Sequence, residues 1–281
     1  MFVVPFPAIN PVLIQVGPVA VKWYGLAYVA GLLFAWWYIV RLVKQKSLWL
    51  RPPHNGRAPA TQRDVDDLVI WATAGVILGG RLGYVLFYGL VYQADYYLSA
   101  PWHVFAAWEG GMSFHGGLIG VVLTVVFFAR RRKVDAIRLG DLAAVATPIG
   151  LFFGRLANFV NGELWGKVSA VPWAMVFPNP AAGPLPRHPS QLYEAGLEGL
   201  LLFMILNVAI FRFRTLDRPG LTSAIFLFGY GTFRMVGEIF RDSDQWVISP
   251  HSGFTMGMAL SVPMWIAAAL FLRFALLNAR S

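Results

Sequence analysis

Apolar positions run along this chain in long, nearly unbroken blocks rather than in the alternation of a half-buried strand. A helix rises 1.5 Å per residue, so roughly 20 apolar residues cross the hydrocarbon core of a bilayer. Blocks of that length predict spans at about 19–43, 66–91, 112–130, 139–160, 191–211, 220–241 and 254–274. The pattern predicts an all-α, polytopic integral membrane protein. It would be a single transmembrane domain over 1–281, a bundle of about seven helices with no soluble domain between them. Ahead of the first block, Pro5, Pro7, Pro11 and Pro18 break the chain, so that segment is expected at the interface rather than across it. It carries no basic n-region and does not read as a cleaved signal peptide. The stretch 161–190, rich in Pro and Gly with scattered Trp and Phe, is expected to form a small periplasmic cap. No long internal repeat and no inverted pair of interrupted helices is present in the sequence.

Composition agrees with the pattern. The chain is 57% hydrophobic and 13% charged, whereas soluble domains are about 25% charged. So little charge cannot cover a globule in water, which excludes a soluble enzyme, a disordered chain and a disulfide scaffold. A net charge of +9 would ordinarily suggest nucleic acid, but its distribution points elsewhere. Sixteen of the 23 basic residues fall in alternate loops and at the C-terminus, among them Arg41, Lys44, Arg63, the run Arg130-Arg131-Arg132-Lys133, Arg212, Arg273 and Arg280. Positive residues stay on the cytoplasmic side, so the N-terminus is placed outside and the C-terminus inside. No nucleic-acid partner is expected. With no cysteine, the protein supplies no disulfide and no thiol of its own.

Glycines recur at four-residue spacing: Gly75, Gly79 and Gly83, then Gly116 and Gly120, Gly150 and Gly154, Gly253 and Gly257. Such stripes let helix backbones approach closely and carry no chemistry themselves. The informative residues are the polar ones at membrane depth. Arg81 lies within a glycine-rich turn of the second span, and His115 opens the third. Arg155 and Asn158 share a face of the fourth, followed by Asn161 and Glu163. Glu194 and Glu198 start the fifth, and Tyr230, Arg234 and Glu238 form one stripe on the sixth. Each ionised residue at a helix centre costs about 2.5–3.5 kcal/mol on a translocon scale. So many together need partners or a task. Structural ion pairs, such as Arg234 with Glu238, are the plain alternative, and Arg81 and Glu198 fit it best. No histidine cluster has metal-ligand spacing, and no Gly-x-Ser-x-Gly elbow is present; His54 and His103 lie in loops. Permanently charged arginines, with Asn, Tyr and His, suit an anionic phospholipid head group. Residue types alone leave open an enzyme, a flippase or a lipid-gated transporter.

The run Gly154-Arg155-Leu156-Ala157-Asn158-Phe159-Val160-Asn161-Gly162-Glu163-Leu164-Trp165-Gly166 resembles the signature of bacterial prolipoprotein diacylglyceryl transferases. Gly110–Gly117, Arg187–Glu194, Gly229–Arg234 and Trp23-Tyr24-Gly25 resemble the same family in the same order, from about residue 10 to about 265. Ala157, where many members have Gly, is a mild departure. The resemblance implies transfer of the diacylglyceryl group of phosphatidylglycerol onto the lipobox cysteine of a preprolipoprotein. Glycerol 1-phosphate leaves, in the first step of lipoprotein maturation. The implied partners are phosphatidylglycerol, the lipobox signal peptide and membrane lipids. The implied place is the bacterial inner membrane, with the site toward the outer leaflet and no cofactor or metal.

That reaction makes two demands. The leaving phosphate needs fixed cations, expected from Arg155 and Arg234 with Asn158. The thiol, ordinarily titrating near 8.5, must lose its proton, and His115 suits that task by residue type. Two other readings stay open: His115 only positions the substrate, or a nearby arginine favours the thiolate without a base. Tyr24, Tyr230, Glu163, Glu238, Asn161 and His188 are candidate substrate contacts. A scramblase using the same arginines is the contrasting reading, disfavoured because the polar residues cluster toward the outer half of spans four and six. An Asp-rich metal motif, needed by the nucleotide-diphospho-alcohol type of phospholipid transferase, is absent from the sequence.

Overall fold

The structure, a computed structural model, describes residues 4–7, 9–17, 19–106, 108, 110–243, 247 and 253–278. Of the residues named from the sequence, Pro18 and Arg280 lie outside these. Long helices α1 (Trp23–Lys44), α2 (Gln62–Tyr92), α3 (Phe114–Arg132), α4 (Ala136–Val160), α5 (Ser190–Arg212), α6 (Leu221–Phe240) and α7 (Met256–Asn278) follow the expected blocks. Among the described residues, all but α6 are long and apolar enough by composition to cross a membrane, which makes six. The expected count was about seven. Helix α6 falls short because Arg234, Glu238 and Tyr230 interrupt its apolar run. The apolar helices need lipid: only 17% of the most apolar window of α7 is buried within the protein.

Helix starts follow local chemistry more than hydropathy. The apolar block of α2 begins near residue 66, yet the helix starts at Gln62. Thr61 accepts a hydrogen bond from the Asp64 backbone N–H, and the Asp64 carboxylate accepts from that of Thr61. Ser113 caps α3 in the same way through Gly116.

The chain divides into two compact units, residues 1–39 with 141–281, and residues 40–140. Within the second, α2 and α3 meet along their glycine stripes. A Cβ added at Gly79 would lie 2.8 Å from the Cα of Gly120, and one at Gly83 would lie 2.7 Å from that of Gly116. The other two glycine pairs are not such seams. Gly154 faces open space, Gly253 precedes α7, and Gly257 lies against the side chains of Glu238 and Arg234. Only Gly150 meets a helix backbone, that of α1 at Gly31. Arg81 is buried, with its guanidinium donating to the carbonyls of Val104 at 3.2 Å and of His103 and Gly110 at 2.5 Å. It ties down the loop between α2 and α3.

The first unit holds α5, α6, α7 and most of α1 and α4. Its core includes Leu142, Val145, Leu202, Leu206 and Ile210. Asp141, at the head of α4 and buried, accepts hydrogen bonds from the backbone N–H groups of Gly220 (2.7 Å) and Ser223 (2.8 Å) and from the Ser223 hydroxyl (2.7 Å). A carboxylate there satisfies the free N–H groups of α6 and complements its dipole. Asp141→Ala should cost about 2–3 kcal/mol of stability, because the cap and its buried donors are lost together. Thermal unfolding in detergent measures this, and an unchanged midpoint would contradict the role.

Residues near the N-terminus form short strands. β1 (Val4–Pro5) pairs in parallel with Met175–Val176, and β2 (Val12–Val16) forms an antiparallel hairpin with β3 (Val19–Lys22). Phe6 packs against Phe159 and Phe177, fastening this segment to the stretch between α4 and α5.

Candidate functional site

The glycine-rich run that closes α4 builds two groups of polar residues. Arg155 leaves the helix toward α5. One turn later Asn158 donates to the carboxylate of Glu163 at 2.7 Å, with Asn161 reaching the same oxygen at 3.5 Å. The chain reverses at Gly162, whose φ of +64° and contact with Pro178 suit a residue without a side chain. Leu164 then takes φ +59°, unusual for a branched residue, with its carbonyl held by the Ser190 hydroxyl at 3.0 Å. Gln191 donates to the carbonyl of Glu163 at 2.5 Å. These hydrogen bonds hold the turn in place despite the left-handed backbone at Leu164.

The second group is charged. Arg155, Arg234 and Arg241 surround Glu194, Glu198 and Glu238. The Nη1 of Arg155 lies 2.9 Å from Glu194 Oε2, and its Nη2 lies 3.0 Å from Glu198 Oε2. The Nη1 of Arg234 lies 2.8 Å from Glu194 Oε1, and its Nη2 pairs with Glu238. Glu194 therefore bridges the two arginines. The glutamate side chains are at most 2% exposed, whereas the arginines keep 15–17% of theirs. The carboxylates are more deeply buried than the arginines that hold them. Helix α5 is π-helical over Ala195–Leu201, the segment that carries Glu198, a distortion frequent at functional sites. Gly257 completes the packing, since a Cβ there would lie 2.6 Å from the Cδ of Glu238.

Such an arrangement suits an anion. The arginines are aimed and desolvated before any ligand arrives, so little reorganisation remains when charge develops. Tyr230, half-buried on α6 and stacked on Phe226, sits within electrostatic reach of Arg155, Arg234 and Glu198. Tyr24 accepts a hydrogen bond from the Tyr28 hydroxyl at 3.3 Å. His188 stands in the segment between α4 and α5, where the Tyr193 hydroxyl lies 3.0 Å from its Nδ1. Burial, with Lys167 adding to it, holds this imidazole below its ordinary pKa. His115 belongs to the other unit, exposed in the first turn of α3 with its ring edge-on to Phe114. Among the described residues no group of three His, Asp or Glu side chains is placed to hold a metal ion.

The model of the family described as prolipoprotein diacylglyceryl transferase matches residues 11–274. The chain belongs to the prolipoprotein diacylglyceryl transferase family. It is 53% identical over 269 residues to a phosphatidylglycerol–prolipoprotein diacylglyceryl transferase of Rhodospirillum rubrum, covering 95% of this chain and 92% of that one. The protein of that name from Rhodopseudomonas palustris is 51% identical, with 96% and 91% covered. The one from Brucella ovis is 52% identical, with 92% and 89% covered.

Among the residues singled out from the sequence of this diacylglyceryl transferase family member, the structure joins Arg155, Arg234 and Glu238 in one cluster. It gathers Asn158, Asn161 and Glu163 in a neighbouring turn. Glu238 pairs with Arg234, and Glu198 pairs with Arg155, the ion-pair role expected of it. Arg241 was not singled out. Its signal was there, since positions 234, 238 and 241 continue one helical stripe at i, i+4 and i+7.

Proposed function

We propose that this chain transfers the diacylglyceryl group of phosphatidylglycerol to the lipobox cysteine thiol of a preprolipoprotein. Family membership and the preformed Arg155–Arg234 cluster support this reading. The substrate sulfur attacks the glyceryl carbon that bears the phosphate. A carbon–sulfur bond forms, the carbon–oxygen bond to phosphate breaks, and its electron pair leaves with glycerol 1-phosphate. Arg155 and Arg234 bind that phosphate and stabilise the charge it gains. Asn158 and Asn161 act through Glu163, which faces the substrate together with Tyr24, Tyr230 and His188. Glu238 contributes by aiming Arg234. The thiol proton is assigned to His115 on residue type alone.

Orientation completes the proposal. Helix α6 crosses as the seventh span because its charges are paired, which puts the N-terminus outside and the C-terminus in the cytoplasm. Residues 161–190 then form a cap on the periplasmic face of the inner membrane, above a site in the outer leaflet.

The test uses purified protein in detergent with phosphatidylglycerol and a lipobox peptide, following glycerol 1-phosphate and the mass of the peptide. Release that requires both substrates, with a peptide gaining one diacylglyceryl group, is the expected outcome. Lipid movement across vesicles with no modified peptide would replace this reading by lipid transport.

A further inference from the structure

We infer that Arg241 is a third phosphate-binding residue of this site, the arginine of the cluster whose guanidinium makes no hydrogen bond among the described residues. The inference deepens the transferase reading and rests on it for the identity of the lipid. The three guanidinium groups are committed to different degrees. Arg155 donates through Nε and Nη2 to Glu198 at 3.3 and 3.0 Å. Arg234 donates through Nη1 to Glu194 at 2.8 Å and through Nη2 to Glu238. The Nη1 of Arg241 lies 3.9 Å from Glu194 Oε1 and 3.7 Å from Glu238 Oε1, near enough to be attracted but too far to hydrogen-bond. Among the described residues, no hydrogen bond engages its guanidinium.

A buried arginine with unspent donors is costly unless something pairs with it. Only 17% of this side chain is exposed. Three arginines face three glutamates, and the hydrogen bonds these carboxylates accept within the cluster come from Arg155 and Arg234. Arg241 also feels the positive charges of Arg234 and Arg155. A phosphate oxygen placed against it would supply the missing acceptor and relieve that repulsion.

Its backbone is held as firmly as those of the other two. Arg241 forms an antiparallel bridge with Gly166, the residue that closes the Gly154–Gly166 run. The Lys167 backbone N–H donates to the carbonyl of Phe240 at 2.8 Å, and that of Asp242 donates to the carbonyl of Trp165 at 3.2 Å. A Cβ at Gly166 would lie 2.6 Å from the Phe240 carbonyl oxygen, so only glycine permits this approach. The turn that follows Arg155 is thereby joined to the end of α6, with Arg241 at the junction.

Glycerol 1-phosphate serves as the probe, with its dissociation constant measured by calorimetry on purified wild type, Arg241→Lys and Arg241→Gln in detergent. Thermal unfolding without ligand reports folding. Losing one charge-assisted contact should weaken binding by roughly tenfold or more in Arg241→Gln, and several-fold in Arg241→Lys, which keeps the charge but not the fork. KM for phosphatidylglycerol should rise in parallel, with KM for the lipobox peptide unchanged. Wild-type affinity in a folded Arg241→Gln protein would overturn the inference, as would absence of binding to wild type. Should Arg241→Gln fail to fold, unchanged affinity in Arg241→Lys would overturn it equally. Binding that depends on Arg241 in a protein that modifies no peptide would defeat the transferase reading and leave Arg241 as an anion site.

Discussion

Arg155→Ala should abolish release of glycerol 1-phosphate from phosphatidylglycerol and lipobox peptide, with kcat expected to fall by roughly a thousandfold or more. Removal of a single well-placed donor from a charge-stabilising site costs about 10²–10³ in rate, and this change also releases the residues that Arg155 holds. Glu194 and Glu198, no more than 1% exposed, would face each other with Arg155 gone. Breaking a buried ion pair from one side costs about 3–5 kcal/mol. The alanine variant should therefore unfold at lower temperature as well as lose activity. Arg155→Lys separates the two effects. It keeps the positive charge near the glutamates and loses the planar fork, so stability should largely return while activity stays roughly 10–100-fold down. Full activity in the folded lysine variant would remove Arg155 from the chemistry and leave it a structural cation.

Gly79→Val should prevent the second unit from folding. The Cβ it adds would overlap the Gly116 carbonyl oxygen and lie 2.8 Å from the Cα of Gly120, closer than real Cβ atoms approach backbone. Backbone on a packed helix cannot swing aside as a flexible side chain does, so α2 and α3 would have to separate. Overpacking costs 1–3 kcal/mol where side chains can give; here we expect about 3 kcal/mol or more. Gly117 is the matched control. It is also buried in α3, but a Cβ there would lie 3.6 Å from the Val76 carbonyl oxygen, an ordinary contact. Gly117→Ala should be silent. Size-exclusion profiles of the detergent-solubilised protein and its thermal unfolding compare the two. Equal behaviour of both variants would show that the glycine seam does not govern helix association.

Both predictions concern features that were legible as residue types before their geometry was known. The glycine stripe of α2 announced a close helix contact, because four-residue spacing places small residues on one face. Its partner was not announced. Gly116 and Gly120 of α3 face it, whereas Gly154 and Gly257, with the same spacing, do not line helix seams. Spacing defines a face, and only packing decides what the face meets. In the charged group, Arg155 and Arg234 stood out because charge at membrane depth is costly. Glu198 read as a structural ion pair, and Arg241 was not singled out.

The sequence by itself determined the all-α class, the approximate place of every long helix, the family and two of the three arginines of the charged cluster. These follow from local or additive properties: runs of apolar residues, helical spacing, and a run of thirteen residues from Gly154 to Gly166. Tertiary structure decided which carboxylate serves which arginine. Glu194, 40 residues from Arg234 and on another helix, bridges it to Arg155. It also decided that the guanidinium of the last arginine of the stripe makes no hydrogen bond among the described residues. Pairing of buried charges depends on distances of a few ångströms between helices, and such distances are set by packing of whole helices rather than by spacing along any one of them.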